Sequence, residues 1–298
     1  MNNASPPDPA LAPECSVTFE TGQGGLPLVK VATPASVAEV YLHGAHVTHF
    51  QRADEPALLF LSSKAVFMDG KPIRGGIPVI LPWFGPRAGQ PMHGFGRLHA
   101  WKLSQIQTLP GRQVRLQFRL PECPEAAGWP PLLADYAVTI GQTLGVELTV
   151  QNPDPARPLD LETCLHTYFA VGASDQVEVR GLKGVSYLDS LEGHVQKTQV
   201  EDPIRLTSEV DRLYLATPHT VEIVDPSLGR IIRVEKEHSL STVVWNPWLA
   251  KSQRMPDFGN DEYRRMVCVE SGNAGPNRLV LPPGASATLR VRLSSHPL

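Results

Sequence analysis

Apolar and polar residues alternate along much of this chain with a period of two. In Gln113–Leu120 (QVRLQFRL), Val114, Leu116, Phe118 and Leu120 fall on one side, and Arg115, Gln117 and Arg119 on the other. Gly145–Asn152 (GVELTVQN) repeats the pattern through Val146, Leu148 and Val150. Ser286–Leu293 (SATLRVRL) does so through Ala287, Leu289, Val291 and Leu293. Each reads as a strand with one dry and one wet face. Similar signals, separated by turn residues, mark Ala38–Leu42, Val47–Arg52, Ala57–Leu61, Trp101–Leu109, Ala137–Leu144, Leu159–His166, Val221–Asp225, Arg230–Glu235, Thr242–Trp245 and Met266–Glu270. Alternation favours antiparallel over parallel pairing, so the chain is expected to be all-β, a large antiparallel β-sandwich. Asp257–Arg265 is the one stretch that suggests a short turn or helix.

Composition narrows the class. The 29 prolines and 24 glycines break the chain into short elements and disfavour long helices. Hydrophobic residues make up 42% and charged residues 19%, which suits a globular protein with a substantial core. A net charge of −3 supplies no basic field, so nucleic acid is not an expected partner. No apolar run approaches the ~20 residues of a membrane span, so no membrane association is expected. Residues 1–14 (MNNASPPDPALAPE) lack a basic and an apolar region and read as a disordered leader, not a signal peptide. Cys15, Cys123, Cys164 and Cys268 stand far apart without a CxxC, as reduced, mostly buried thiols of a cytoplasmic protein would. Residues 15–298 carry no composition break and read as one domain. Nothing in them demands more than a monomer.

Four segments depart from plain sandwich. Ile73–Arg87 (IRGGIPVILPWFGPR) sets two arginines among glycines, prolines and aromatics, and His93–Arg97 (HGFGR) does so again. Glycine lets backbone approach a ligand, and arginine offers a planar fork suited to phosphate. A single such arginine is ordinarily a solvated surface residue; two loops of this kind point to an anion. In Leu161–Gly172 (LETCLHTYFAVG), His166 ends a strand and opens an aromatic turn, a place where a lone histidine is ordinarily structural. In Met266–Asn273 (MVCVESGN), strand parity puts Met266, Cys268 and Glu270 on one face. A carboxylate on an apolar face is costly unless partnered or functional, and burial would raise its pKa toward that of a useful base. His43, His46 and His49 (HGAHVTH) mimic a metal cluster, but on a strand His46 would point away from the other two, so no metal is assigned. Neither GxxxxGK[ST] nor GxSxG occurs.

HGAHVTHF, IRGGIPVILPWFGPR, HGFGR, LHTYFAVG, SEVDRLY, VVWNPW and VCVESGN occur in the order found in the hexose-6-phosphate mutarotases (glucose-6-phosphate 1-epimerases) of the aldose 1-epimerase superfamily. The chain resembles that family from about Val37 to Pro283. The resemblance implies a galactose-mutarotase-like supersandwich with a single open cleft. It implies His166 as general acid and Glu270 as general base, with Arg74, Arg97 and Asp211 on the substrate and His93 in the cleft. This chain reads HGFGR where relatives often read HGFAR, and has Met92 where some carry a substrate-contacting Gln.

Mutarotation needs one group to take the anomeric hydroxyl proton and another to protonate the ring oxygen. A carboxylate and an imidazolium suit these tasks. No redox cofactor, metal or covalent intermediate is required. His166 and Glu270 are therefore expected to face each other across a pyranose-sized gap, with Arg74 and Arg97 reading the phosphate of a small-molecule sugar phosphate. The alternatives are an aldose 1-epimerase acting on neutral sugars and a carbohydrate-binding β-sandwich without catalysis.

Overall fold

The structure, a computed structural model, describes residues 14–123 and 128–298. All but the last residue of the expected leader lie outside these. Glu14, that last residue, pairs with Arg112 at 2.5 Å, and the first strand begins at Ser16.

Two large sheets dominate. In spatial order, the nine-stranded sheet runs Ile204–Arg205, Glu178–Arg180, Val221–Asp225, Arg230–Glu237, Ser286–Pro297, Leu144–Gln151, Leu133–Ile140, Gln113–Arg119 and Lys102–Leu109. The eight-stranded sheet runs Val195–Thr198, Ser186–Asp189, Val210–Leu215, Ser241–Asn246, Met266–Asn273, Thr163–Leu165 and Val79–Ile80, with Tyr168–Ala170 also on Met266–Asn273. Four N-terminal strands between Ser16 and Arg52 form a third sheet, and Leu159–Leu161 pairs with Leu279–Leu281. Every strand pair in these sheets is antiparallel, as the alternation implied.

The dry faces meet. Val114, Leu116 and Phe118 pack in one buried cluster with Leu144, Val146, Leu148, Leu289 and Leu293 of the same sheet. Leu165, Phe169, Val244, Val267 and Val269 of the eight-stranded sheet join that cluster. Removing this apolar surface from water contributes the bulk of the stability, at roughly 25 cal/mol per Å2. The eight-stranded sheet is unusual in having a second covered face. Phe60, Tyr168, Trp245, Phe258, Met266 and Cys268 pack there into a separate buried cluster. Met266–Asn273 is consequently buried at every position, and its polar side chains cannot escape to water.

Several expected elements shift. The strand expected at Ala137–Leu144 is Leu133–Ile140, because the hairpin turns at residues 141–143. Ala57–Leu61 forms only isolated bridges, Leu59 to Phe169 and Leu61 to Gly75, since its amides bond to different strands, Leu58 to Phe50 and Phe60 to Tyr168. Asp257–Arg265 holds a 3-10 turn at Glu262–Arg265, and a five-residue α-helix lies earlier, at Trp248–Ser252.

Gly76 shows how the loop Ile73–Arg87 is seated. Its φ is +61°, and a Cβ there would lie 2.2 Å from the Val47 carbonyl oxygen and 2.8 Å from His46 Nε2. Gly76→Ala would combine left-handed strain with a backbone clash, so it should destabilise the fold by roughly 2–4 kcal/mol. Thermal unfolding followed by circular dichroism checks this; an unchanged midpoint would mean that the loop does not sit on the Val47 strand.

Candidate active site

Strand register brings the chemistry together. Thr163, Cys164 and Leu165 pair with Asn273, Gly272 and Ser271. Tyr168, Phe169 and Ala170 pair with Cys268, Val267 and Met266 in the same register. His166 lies in the break between these ladders, directly across from Glu270, and its amide donates to the Pro78 carbonyl instead. Directly opposed residues share a face, with Cβ atoms about 5 Å apart. The His166 Nε2 to Glu270 Oε1 distance is 3.3 Å. The expected pyranose-sized gap is therefore absent. Neighbouring strands hold the two groups in contact, and ring opening needs no gap, because the two oxygens to be served are both bonded to C1.

The same rows carry the rest of the site. Trp245 pairs with Cys268, and Asp211 pairs with Trp245, so Asp211 shares the face of Glu270. Its carboxylate faces Lys251 Nζ at 3.6 Å. Loops supply the other residues. Arg74 donates to Asp257 Oδ2 (3.1 Å from Nε) and to the Tyr168 hydroxyl (2.9 Å). His93 Nδ1 accepts from the Gly85 amide at 3.0 Å, which leaves its proton on Nε2. The His93 ring meets the His166 ring edge-on with centroids 5.7 Å apart. Arg97 is 6% exposed and donates to the Met92 carbonyl at 2.8 Å, while its Nε has no partner. All six expected site residues, Arg74, His93, Arg97, His166, Asp211 and Glu270, thus fall in one region. Met92 contributes its backbone; its side chain is turned out to solvent.

The two arginines differ. Arg74 is already neutralised by Asp257, whereas among the described residues Arg97 makes no ion pair. Burial works against the Arg74 charge, but Tyr168 and Asp257 more than offset it and hold its pKa above the ordinary value. Burial and then Arg74 push Arg97 down to about 10. It remains a cation at neutral pH, short of acceptors.

Burial, joined by His93, Arg97 and Arg74, drives His166 well below the usual histidine range. Burial also raises Glu270 well above the carboxylate range, helped by Asp211 and opposed by Cys164 and Arg97. Contact at 3.3 Å would by itself favour an ion pair. With both groups out of water and cations beside the imidazole, the neutral pair wins. Burial thus favours the proton on Glu270, and Cys164 Sγ, 3.4 Å from Oε2, donates to that carboxyl oxygen.

Three residues of consequence escaped the sequence reading. Tyr168 stacks on His166 with centroids 4.8 Å apart and an 11° tilt, and it anchors Arg74. Asp257 and Cys164 partner Arg74 and Glu270. Cys164 and Tyr168 share the parity of His166, a signal available in LHTYF and its flanks; Asp257 carried none. Two of the HGAHVTH histidines, His43 and His46, are buttresses. The strand starts only at His46, after Gly44 and Ala45 turn the chain at positive φ, so strand parity does not govern His43. His43 and His46 are both buried and donate from Nε2, each at 2.7 Å, to the carbonyls of Lys71 and Gly75 flanking the Arg74 loop.

A family model for aldose 1-epimerase matches residues 27–294. The chain belongs to the aldose 1-epimerase family. That makes it an isomerase, the class its motifs implied. It is 36% identical over 269 residues to a protein of Cenchrus ciliaris, covering 87% of this chain and 82% of that one. It is 36% identical over 262 residues to one of Escherichia coli K12, covering 86% of each. Both carry the provisional name glucose-6-phosphate 1-epimerase. Among solved structures, a Salmonella typhimurium protein described provisionally as a mutarotase superimposes with a TM-score of 0.87 at 29% identity, covering 98% and 97% of the two chains. A galactose mutarotase-like protein of Clostridium acetobutylicum shares the fold at a TM-score of 0.70 and 13% identity, over 96% and 99%.

Burial holds the folded Glu270 carboxyl well above its ordinary value of 4.5, above which it ionises in the unfolded chain. Its contribution to stability is complete below that pH and is lost as pH rises toward the folded value, at up to about 1.4 kcal/mol per pH unit. Glu270→Gln should therefore be more stable than wild type near pH 7, with a margin that vanishes near pH 4. Urea unfolding across this range is the check; a margin independent of pH would mean an ionised Glu270 in the fold.

Proposed function

We propose that this protein interconverts the α and β anomers of a hexose 6-phosphate, glucose 6-phosphate being the substrate that the names of its relatives suggest. The observation that carries this reading is the buried His166–Glu270 contact, a pair sharing one proton beside an anion-seeking arginine. Glu270 takes the proton from O1–H as the C1–O1 double bond forms. The C1–O5 bond breaks, and His166 gives its proton to O5. Rotation about C1–C2 turns the other aldehyde face toward O5, and the same transfers run backwards to reclose the ring.

These steps begin with imidazolium and carboxylate and pass through neutral imidazole and carboxylic acid. The pair holds one proton in both, so each turnover only moves it between partners. Burial favours the second arrangement in the free enzyme. A phosphate dianion brought to Arg97 favours imidazolium and shifts the pair toward the first. Arg97 is the phosphate contact on this account, while Arg74, spent on Asp257 and Tyr168, positions the sugar ring with Asp211 and His93. The free thiols of Cys15, Cys164 and Cys268 suit a reducing compartment, and we place the enzyme in the cytoplasm, as a monomer.

His166→Asn and Glu270→Gln should each keep the fold and lose roughly 10²–10⁴-fold in anomer exchange of glucose 6-phosphate, measured by NMR. Near-wild-type exchange would remove that residue from the mechanism. The two arginines should separate. Arg97→Ala should lower kcat/KM for glucose 6-phosphate about ten- to a hundredfold and leave free glucose almost unchanged, the worth of one charge-assisted hydrogen bond. Arg74→Ala should penalise both sugars. Equal losses on both sugars in Arg97→Ala would instead favour an epimerase of neutral sugars.

A further inference from the structure

We propose that His166 Nε2, Cys268 Sγ and the Glu270 carboxylate form an inhibitory binding site for a thiophilic divalent cation such as Zn2+ or Cd2+. Among the described residues these are the one set of three metal-donor side chains whose donor atoms all lie within 4.8 Å of one another. Cys164 Sγ, 3.4 Å from Glu270 Oε2, stands ready as a fourth donor. Imidazole, carboxylate and thiolate are the donors that Zn2+ and Cd2+ select. Ligand atoms about 2.0–2.3 Å from a tetrahedral ion lie roughly 3.3–3.8 Å apart, so the Nε2–Oε1 edge already fits and Cys268 must close by about 1 Å. Strand register supplies the convergence, since Cys268 and Glu270 share a face and His166 opposes Glu270.

Charge balance permits entry past Arg74 and Arg97. Burial disfavours the charged thiolate and carboxylate, and a divalent cation that displaces both protons leaves the net charge facing the two guanidiniums and His93 unchanged. Asp211 lies on the same face and favours the ion. Once bound, the cation occupies the lone pairs that move protons. Ring opening itself needs no ion, so the effect is inhibition.

Binding can be read without any assay of turnover. In a Cys15→Ser/Cys123→Ser protein, which removes the thiols outside the site, Cd2+ should bind one per chain with a thiolate-to-metal band in the ultraviolet. Binding should release about two protons per ion and tighten up to about a hundredfold per pH unit near neutrality. Cys268→Ala should abolish the band or weaken binding at least tenfold, and His166→Asn should weaken it comparably. Zn2+ should block anomer exchange with a midpoint matching its binding, and EDTA should restore it. Circular dichroism confirms that each variant is folded. Unchanged Cd2+ affinity in folded Cys268→Ala and His166→Asn, or no thiolate band in the parent, would overturn the proposal.

Discussion

His166 and Glu270 touch because of a backbone fact: 163–165 and 168–170 pair with one strand in one continuous register, and the residue left in the break faces Glu270. Loops then surround this contact. The Gly76 carbonyl accepts from the Tyr168 amide and the Pro78 carbonyl from that of His166, which lays the Arg74 loop along the broken ladder. Glu162 accepts from the Phe84 and Gly275 amides and ties that loop to the far end of the Glu270 strand. Moving the register by one residue would turn every one of these side chains to the other face.

Such a site is built against the interests of stability. A carboxyl, an imidazole and an incompletely bonded guanidinium are all withdrawn from water, each at a cost that hydrogen bonds only partly offset. The nine-stranded sheet and the apolar layer between the sheets carry the fold, which lets the opposite face of the eight-stranded sheet hold groups that weaken it. Proton sharing is what the burial provides. In water the imidazole and the carboxylate would titrate independently, near 6.5 and 4.5, and hold no common proton.

Fold class was legible because period-two alternation is strong in strands with one dry face, such as Gln113–Arg119 and Leu144–Gln151. It was weak in edge, short and site strands. Val195–Thr198 is largely exposed and Glu178–Arg180 is three residues long, so neither shows a pattern. Glu270 was legible as a carboxylate on an apolar strand face, and His166 through the motif around it. Their separation was misjudged because the 103 intervening residues say nothing about cross-strand register. Asp257 was invisible for a similar reason, lying 183 residues from the Arg74 it neutralises. Without it, Arg74 and Arg97 look alike in sequence.

The claim that His166 and Glu270 work as one proton-sharing unit is tested most directly by a double-mutant cycle. Groups that act together lose nearly everything when either is removed. Anomer exchange of glucose 6-phosphate in His166→Asn/Glu270→Gln should therefore be no slower than in the worse single variant. Losses that multiply, leaving the double variant slower than the worse single variant by the other's full factor, would show two groups acting independently and contradict the account.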